Sequence, residues 1–407
     1  MMVVAFIALA IVTLRAHRGS HNQEQYTNCM QGRKVLIISL DGFRAEYLSQ
    51  ISTPNMHTHF IEQGVSVKSM KPVFPSKTFP NHYSIVTGLY PPSHGIVANH
   101  FWDPTLQKKF DIQQEGYDSS GIWFQGEPIW NTIKQKNLTS AALQFPASAA
   151  NCGGRVLNGT DLSGYPAYYR PNYDMNWNIT DRINLTIQFL TSKEPIYDLV
   201  LLYIEKTDVY GHAFGPDSQE MQDAVQSVDA HIGELIEDMR EHGVLDITDI
   251  ILLSDHGMTE VEQFAADTYL NAGSKIIAID ESLFPFESVI IRDWSPIMGV
   301  YLNRSNHVFD DVEQAMEAMS NAIVHNAEHC KLYRNGLIPY VTFNDVRDYN
   351  DRVPDFIVES EIGYSIYVKN LSVPTNAGTH GYNNSEPDMQ AILMARGPSF
   401  KSGVIYE

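Results

Sequence analysis

Apolar residues fall along this chain in two rhythms. Three short runs are apolar almost without a break: Lys34–Leu40 (KVLIISL), Leu199–Ile204 (LVLLYI) and residues 250–254 (IILLS). Consecutive leucine and β-branched positions predict strands covered on both faces, as in parallel sheets. Between the second and third runs, residues 218–241 carry Met221, Val225, Val228, Ile232, Leu235, Ile236 and Met239. That is helical spacing with one apolar stripe, and Asp217 or Ser218 is placed to cap its first turn. Strand, helix, strand predicts an α/β fold: a largely parallel, doubly wound sheet with helices on both faces. The stretch 111–191 breaks the rhythm. Rich in Tyr, Asn, Gly and Pro, it is expected to form an inserted surface lobe covering part of the sheet's edge. Length alone allows two or three domains in 407 residues, but an α/β sheet can hold most of such a chain in one unit. One catalytic domain is therefore expected over 33–407, preceded by a polar linker at 15–32.

Residues 1–14 (MMVVAFIALAIVTL) are almost wholly apolar, and Arg15 and Arg18 follow. The run is short of the roughly 20 residues of a bilayer span but suits a secretory signal, although no positive charge precedes it. Residues 1–20 are read as signal-like; a buried N-terminal element or a short anchor is the alternative. Asn-X-Ser/Thr sequons at Asn137, Asn158, Asn178, Asn184, Asn303, Asn370 and Asn383 agree with an exported glycoprotein. Three cysteines, Cys29, Cys152 and Cys330, are too few for a disulfide framework, and an odd number leaves one without a partner in the chain. Their spacing fits no cysteine zinc site. The net charge is −20, from 28 basic and 48 acidic residues. With no Lys/Arg run to displace counterions, a polymeric nucleic acid is excluded as partner. A small phosphate ester stays open wherever local cations override the global field.

Each apolar run ends at an acidic residue: Asp41 after the first, Asp208 after the second, Asp255 after the third. Open α/β sheets bind ligands at the carboxyl ends of their strands. Three carboxylates gathered there would repel one another unless cations sat among them. Histidines accompany them: His212 four residues after Asp208, His256 beside Asp255, and a further candidate, His380, in Gly378-Thr379-His380-Gly381. Mixed His and Asp donors suit zinc, and more than three of them imply more than one ion. Thr78 lies in PSKTFPNHY, where flanking prolines restrict the backbone. Its hydroxyl could be a metal-activated nucleophile, or simply the cap of a helix over residues 82–87, or both.

The string KTFPNHYSIVTGLYPPSHGIVANHFWD (residues 77–103) resembles the nucleophile segment of the ectonucleotide pyrophosphatase/phosphodiesterase family, within the alkaline phosphatase superfamily. So do LDGFR (40–44), STPNM (52–56), EKTDVYGHAFGP (205–216), SDHGM (254–258) and GTHGYNN (378–384); the likeness covers about 34–400. It implies an alkaline-phosphatase-like fold of the short, single-domain type. It also implies two zinc ions, one held by Asp208, His212 and His380, the other by Asp41, Thr78, Asp255 and His256. Thr78 would then be both ligand and nucleophile, and Asn99 would donate to the phosphoryl oxygen. Two metals would clamp attacking and leaving oxygens. A Thr78 phosphodiester intermediate, hydrolysed by water on the first zinc, would release a nucleoside 5′-monophosphate.

The form Thr-Phe-Pro-Asn-His-Tyr resembles the nucleotide-cleaving branch, acting on dinucleotides, nucleotide sugars or nucleoside triphosphates. Phe79 and Tyr173 would supply the two faces of a base slot; Tyr173 as an ordinary packing residue is the alternative. A choline-phosphodiester or lysophospholipid hydrolase with the same metal centre is the rival enzyme. A phosphomonoesterase would need a cation near the extra phosphate oxygens, and none is assigned. A catalytically silent surface protein would have lost a ligand or the nucleophile, yet all seven positions are filled. Family chains continue past a Gly-Pro-x-Phe segment such as residues 397–400, so a last helix and a membrane anchor are expected beyond this sequence. The expected molecule is a monomeric, extracellular ectoenzyme, secreted or held at the cell surface.

Overall fold

The computed structural model describes residues 32–113, 121–152, 155–157, 160–162, 164–170, 172–263, 273–305, 308–334, 351–368 and 376–407. The signal-like segment, Cys29, Asn158 and Asn370 lie outside the described residues. Seven strands form the central sheet: β1 (Lys34–Leu40), β2 (Val65–Val67), β3 (Ser140–Leu143), β4 (Leu199–Ile204), β5 (Thr248–Leu253), β6 (Leu393–Arg396) and β7 (Val404–Tyr406). Their spatial order is β7-β2-β6-β5-β1-β4-β3. The three predicted apolar runs are β1, β4 and β5, and they are adjacent and parallel, with Ile38 opposite both Leu202 and Leu252. β3 extends the parallel set beyond β4. β6 runs antiparallel to β5 and β2, so the sheet is mixed.

Period-two alternation divides each continuous run between two cores. Leu36, Ile38, Leu40, Val200, Leu202, Ile250 and Leu252 face helices α2 (Ile179–Thr191) and α4 (Gln219–Glu241). Val35, Ile37, Leu201, Ile251 and Leu253 face the opposite layer, which contains α1 (Thr78–Thr87). All seven apolar positions read on 218–241 are buried, and Ser218 caps α4 by accepting from the Met221 N–H at 3.1 Å. Short helix α3 (Lys206–Phe214) joins β4 to α4. The stretch 111–191 does more than cover an edge. It supplies edge strand β3, and Ile183, Ile187 and Leu190 of α2 enter the core. Its strand is short and half alanine, so it carries little apolar signal.

A second layer was not read from the sequence. Strands Val289–Arg292, Ile297–Leu302, Phe356–Ser360 and Cys330–Arg334 form an antiparallel sheet with its own core, against helix Val312–Ala322. It meets the main body partly through the hairpin His100–Asp103/Lys108–Asp111, whose first strand packs against Val289–Arg292. Buried Arg352 fastens this junction, with Nε 2.7 Å from Asp103 and donation to the Gly95 and Ile122 carbonyls.

His94 is fully buried beside α1, its Nε2 2.9 Å from the Ser84 hydroxyl while Nδ1 accepts from the Ile96 N–H. Burial pushes this ring down to about 3 from 6.5, so it folds neutral and the unfolded chain binds the extra proton. Stability should therefore fall with pH below about 6.5, by about 1.4 kcal/mol per unit from this group. Urea unfolding of the wild type and His94→Gln at pH 7 and pH 5 checks this. The variant should lose less stability across that interval, and equal losses would reject the assignment.

Candidate active site

The carboxyl ends of β1, β4 and β5 lie side by side, so the residues just past each strand converge. Asp41 comes directly after β1, Asp208 sits in the first turn of α3, and Asp255 lies two residues past β5. Gly42 makes the first of these turns possible. Its φ is +65°, and a Cβ there would come within 2.9 Å of the Asp208 backbone, a conformation and a closeness suited to glycine. Its N–H donates to Asp255 Oδ1 at 3.1 Å, tying the first and third turns together.

The three histidines arrive already oriented. His212 Nδ1 bonds the Gly378 carbonyl (2.9 Å), His256 Nδ1 the Gly257 carbonyl (2.8 Å) and His380 Nδ1 the Ser76 carbonyl (2.8 Å). A carbonyl only accepts, so each Nδ1 carries the proton and each Nε2 is left as the ligand end. Those ends point at carboxylates. Asp208 Oδ1 is 3.5 Å from both His212 Nε2 and His380 Nε2. His256 Nε2 is 3.4 Å from Asp41 Oδ1 and 3.1 Å from Asp255 Oδ2. Thr78 Oγ1 stands 3.4 Å from the same His256 nitrogen.

Asp208, His212 and His380 thus form one group able to hold a metal, and Asp41, Asp208 and His256 another. Asp41 Oδ1, Asp208 Oδ1 and Asp255 Oδ2 are buried with no hydrogen-bond partner among the described residues. Three such acceptors beside three unprotonated imidazole nitrogens fit divalent cations. The electrostatics express the same demand. Burial, then Asp255 and Asp208, pushes the Asp41 carboxyl well above its usual range. Burial pushes Asp255 the same way, but the His256 and His82 rings outweigh it and hold that carboxyl well below. Burial opposes charge on His256, and Asp255 overcomes it, raising its proton affinity. His380, buried and facing His256 and His212, is driven well down.

Residues not singled out from the sequence complete the site. His82 lies one turn beyond Thr78 on α1, with Nδ1 2.9 Å from the Thr78 carbonyl and 3.3 Å from Asp255 Oδ2. Its other nitrogen accepts from the Ser39 hydroxyl at 2.8 Å. His82 supports the site from α1, and with Asp41 and Asp255 it forms a third group able to hold a metal. The i, i+4 spacing from Thr78 was the available signal. The Tyr203 hydroxyl donates to Asp41 Oδ2, and the Thr207 hydroxyl to the Asp41 carbonyl. Tyr203 was the lone polar-tipped side chain of its apolar run.

Thr78 is the first residue of α1, after Lys77, so the helix begins at the hydroxyl and not at residue 82. Asn99 Oδ1 accepts from the Phe79 N–H at 3.0 Å, which commits its carbonyl end and leaves the NH2 end to donate. A cleft of about 210 Å3 opens beside Asp41, Thr78 and Asp208, and Phe79, Tyr173 and Tyr203 line it. Tyr173 is 47% exposed, with its ring 6.4 Å from that of Tyr203. Of the sequons, Asn137, Asn178 and Asn184 are exposed, and Asn303 and Asn383 are half-buried. Cys152 is buried and Cys330 half-buried.

Known proteins share this fold and much of this sequence. The family described as "Type I phosphodiesterase / nucleotide pyrophosphatase" matches residues 35–383. Human ectonucleotide pyrophosphatase/phosphodiesterase family member 5 is 33% identical over 372 residues, covering 91% of this chain and 70% of its own. Human bis(5'-adenosyl)-triphosphatase is 33% identical over 377 residues, covering 91% of this chain and 74% of its own. The solved murine member 5 superposes with a TM-score of 0.77 at 30% identity, covering 92% of this chain and 91% of that one. An inactive threonine-to-alanine variant of it, solved in complex with AMP, superposes equally well. The shared fold is alkaline-phosphatase-like. A match over most of the chain, joined to a metal-ready cluster at the strand ends, makes this chain a member of the type I phosphodiesterase / nucleotide pyrophosphatase family.

Proposed function

We propose that the protein is an extracellular zinc enzyme that cleaves phosphodiester and pyrophosphate bonds of dinucleotides, nucleotide sugars and nucleoside triphosphates. The product is a nucleoside 5′-monophosphate, reached through a covalent Thr78 intermediate. The observation that carries this reading is the Thr78 hydroxyl, 3.4 Å from His256 Nε2, at the mouth of an aromatic-lined cleft. Two ions held by Asp208, His212, His380 and by Asp41, Asp255, His256 with Thr78 would neutralise the carboxylates, acidify the hydroxyl and stabilise phosphoryl charge.

The chain's own groups do the positioning. The His82 ring holds the Thr78 carbonyl and so the first turn of α1. Thr78 Oγ1 bonds to phosphorus as the bond to the leaving oxygen breaks; water then cleaves the Thr78 ester and regenerates the hydroxyl. Asn99, with only its NH2 end unspent, donates to the phosphoryl oxygen. The N–H groups opening α1 favour negative charge there. Phe79 and Tyr173 take the base between them, and the AMP complex of the murine relative supports a nucleotide in this cleft. Exposed sequons at Asn137, Asn178 and Asn184 support a location outside the cell. Among the described residues no helix is long and apolar enough to cross a membrane.

Thr78→Ala should lower turnover of nucleotide substrates by at least about 10³-fold while bound zinc, counted by mass spectrometry, stays near the wild-type content. Retained activity would remove Thr78 as nucleophile. A chelator should abolish nucleoside monophosphate release and added zinc restore it. Asp208→Asn should bind less metal; full activity in metal-free buffer would end the two-zinc reading. Tyr173→Ala should raise KM for a nucleotide ester relative to bis(4-nitrophenyl) phosphate by about tenfold, the scale of one base–aromatic stack. An unchanged ratio would return Tyr173 to a packing role.

A further inference from the structure

Tyr173, one of the aromatic side chains lining the Thr78 cleft, has little of its own to hold it. Its ring is half exposed and meets Tyr203 edge-on at 6.4 Å. An aromatic wall favours a base only if it already stands in place, because ordering a loose side chain on binding cancels part of the stacking. What fixes Tyr173 is its neighbour. The Asp174 N–H donates to Gln144 Oε1, and Gln144 Nε2 donates to the Asp174 carbonyl at 3.0 Å. The side-chain amide thus pairs with the backbone of Asp174 as a neighbouring strand would, serving its donor and its acceptor together.

Residues 174–177 form a turn closed from within. The Asp174 carbonyl also accepts from the Trp177 N–H at 3.0 Å, and its carboxylate accepts from the Asn176 N–H at 3.0 Å. Trp177 packs against the core and fastens the far end of this turn. Gln144 fastens the end that carries Tyr173. The Arg170–Asp174 ion pair, at 3.6 Å with both side chains over a third exposed, adds little.

The place of Gln144 in the fold suits this task. It directly follows β3, which pairs in parallel with β4, so it stands at the same end of the sheet as Asp41, Asp208 and Asp255. Its side chain is buried, and it lines the cleft. Its backbone is left-handed, with φ +56°, a conformation that a residue other than glycine keeps only where its surroundings over-determine it. Both ends of the amide are spent on Asp174, which leaves Gln144 to act through Tyr173 and not on a ligand directly. We propose that Gln144 is a positioning residue for nucleotide recognition: by pairing with Asp174 it holds Tyr173 at the cleft, and so sets how strongly the enzyme prefers phosphodiesters that carry a base. The inference rests on Tyr173 forming one face of the base slot, as read above.

The test uses the zinc-loaded enzyme and two substrates with the same leaving group, the 4-nitrophenyl ester of thymidine 5′-monophosphate and bis(4-nitrophenyl) phosphate. Gln144→Met keeps the length of the side chain and removes both hydrogen bonds. It should lower the kcat/KM ratio of the nucleotide ester to the base-free diester by about threefold to tenfold, within the loss expected of Tyr173→Ala. The loss should fall mainly on KM. In a Tyr173→Ala background the same substitution should move the ratio by less than about twofold, because nothing is left to position. Gln144→Gly, which relieves the left-handed backbone while removing the side chain, should give the same pattern. Each ratio is taken within one protein sample, so partial loss of folded enzyme cancels. A ratio unchanged by either Gln144 variant while Tyr173→Ala lowers it overturns the positioning role and leaves the base slot standing. Equal Gln144→Met losses with and without Tyr173 also overturn it. A ratio unchanged by Tyr173→Ala removes the base slot and this inference together, and a wild-type enzyme that cleaves neither ester would overturn the phosphodiesterase reading as well.

Discussion

Gathering three carboxylates, two of them almost fully buried, at the ends of three adjacent strands is the constraint around which this protein is built. Asp41 and Asp255 are almost fully inaccessible, and each of the three acids keeps one oxygen with no hydrogen-bond partner. An uncompensated buried charge costs several kcal/mol even after relaxation. Strands β1, β4 and β5 ending side by side in this way favour cationic partners among those oxygens. The raised Asp41 and His256 affinities show a protein that would take up protons in their place.

The surroundings make sense as a means of keeping that gathering rigid. The outward Nδ1 atoms of His380, His256 and His212 are each held by a backbone carbonyl, from Ser76, Gly257 and Gly378 respectively. Backbone carbonyls are fixed by the fold, so ring orientation is set by sheet topology and not by further side chains that would themselves need support. Gly42 and Tyr203 do the same for Asp255 and Asp41. Thr78 joins by another route. It opens a helix whose next turn, at His82, grips the third carboxylate, so helix and acidic cluster share one register.

How much of this was legible in the sequence depends on where each signal resides. Strands buried on both faces leave an uninterrupted apolar string, so β1, β4 and β5 were readable, and the acids closing them gave the site. β3 was not readable, because Ser140, Ala141 and Ala142 are buried by neighbours without being large or branched. The antiparallel layer was missed because Gly299 interrupts the buried strand Ile297–Leu302, polar Glu359 and Ser360 end the buried strand Phe356–Ser360, and Cys330–Arg334 is only partly covered. His82 and Tyr203 illustrate a different limit. Each touches the cluster through three-dimensional proximity, and the single cue each carried was spacing or an odd hydroxyl in an apolar run.

The acidic character of the chain then takes on a different meaning. An excess of twenty negative charges would repel a polyanion along most of the surface, and within a Debye length of about 8 Å salt does little to hide it. A nucleotide is therefore favoured only where positive charge is concentrated locally. One such place is the cluster at the strand ends, whose carboxylates and histidines could hold cations. Lys77, buried and paired with Asp293, joins the Thr78 segment to the outer turn without adding net charge. The antiparallel layer absent from the sequence reading is thereby tied to the strand-end cluster: Asp293, in the turn after its first strand, holds the side chain next to Thr78.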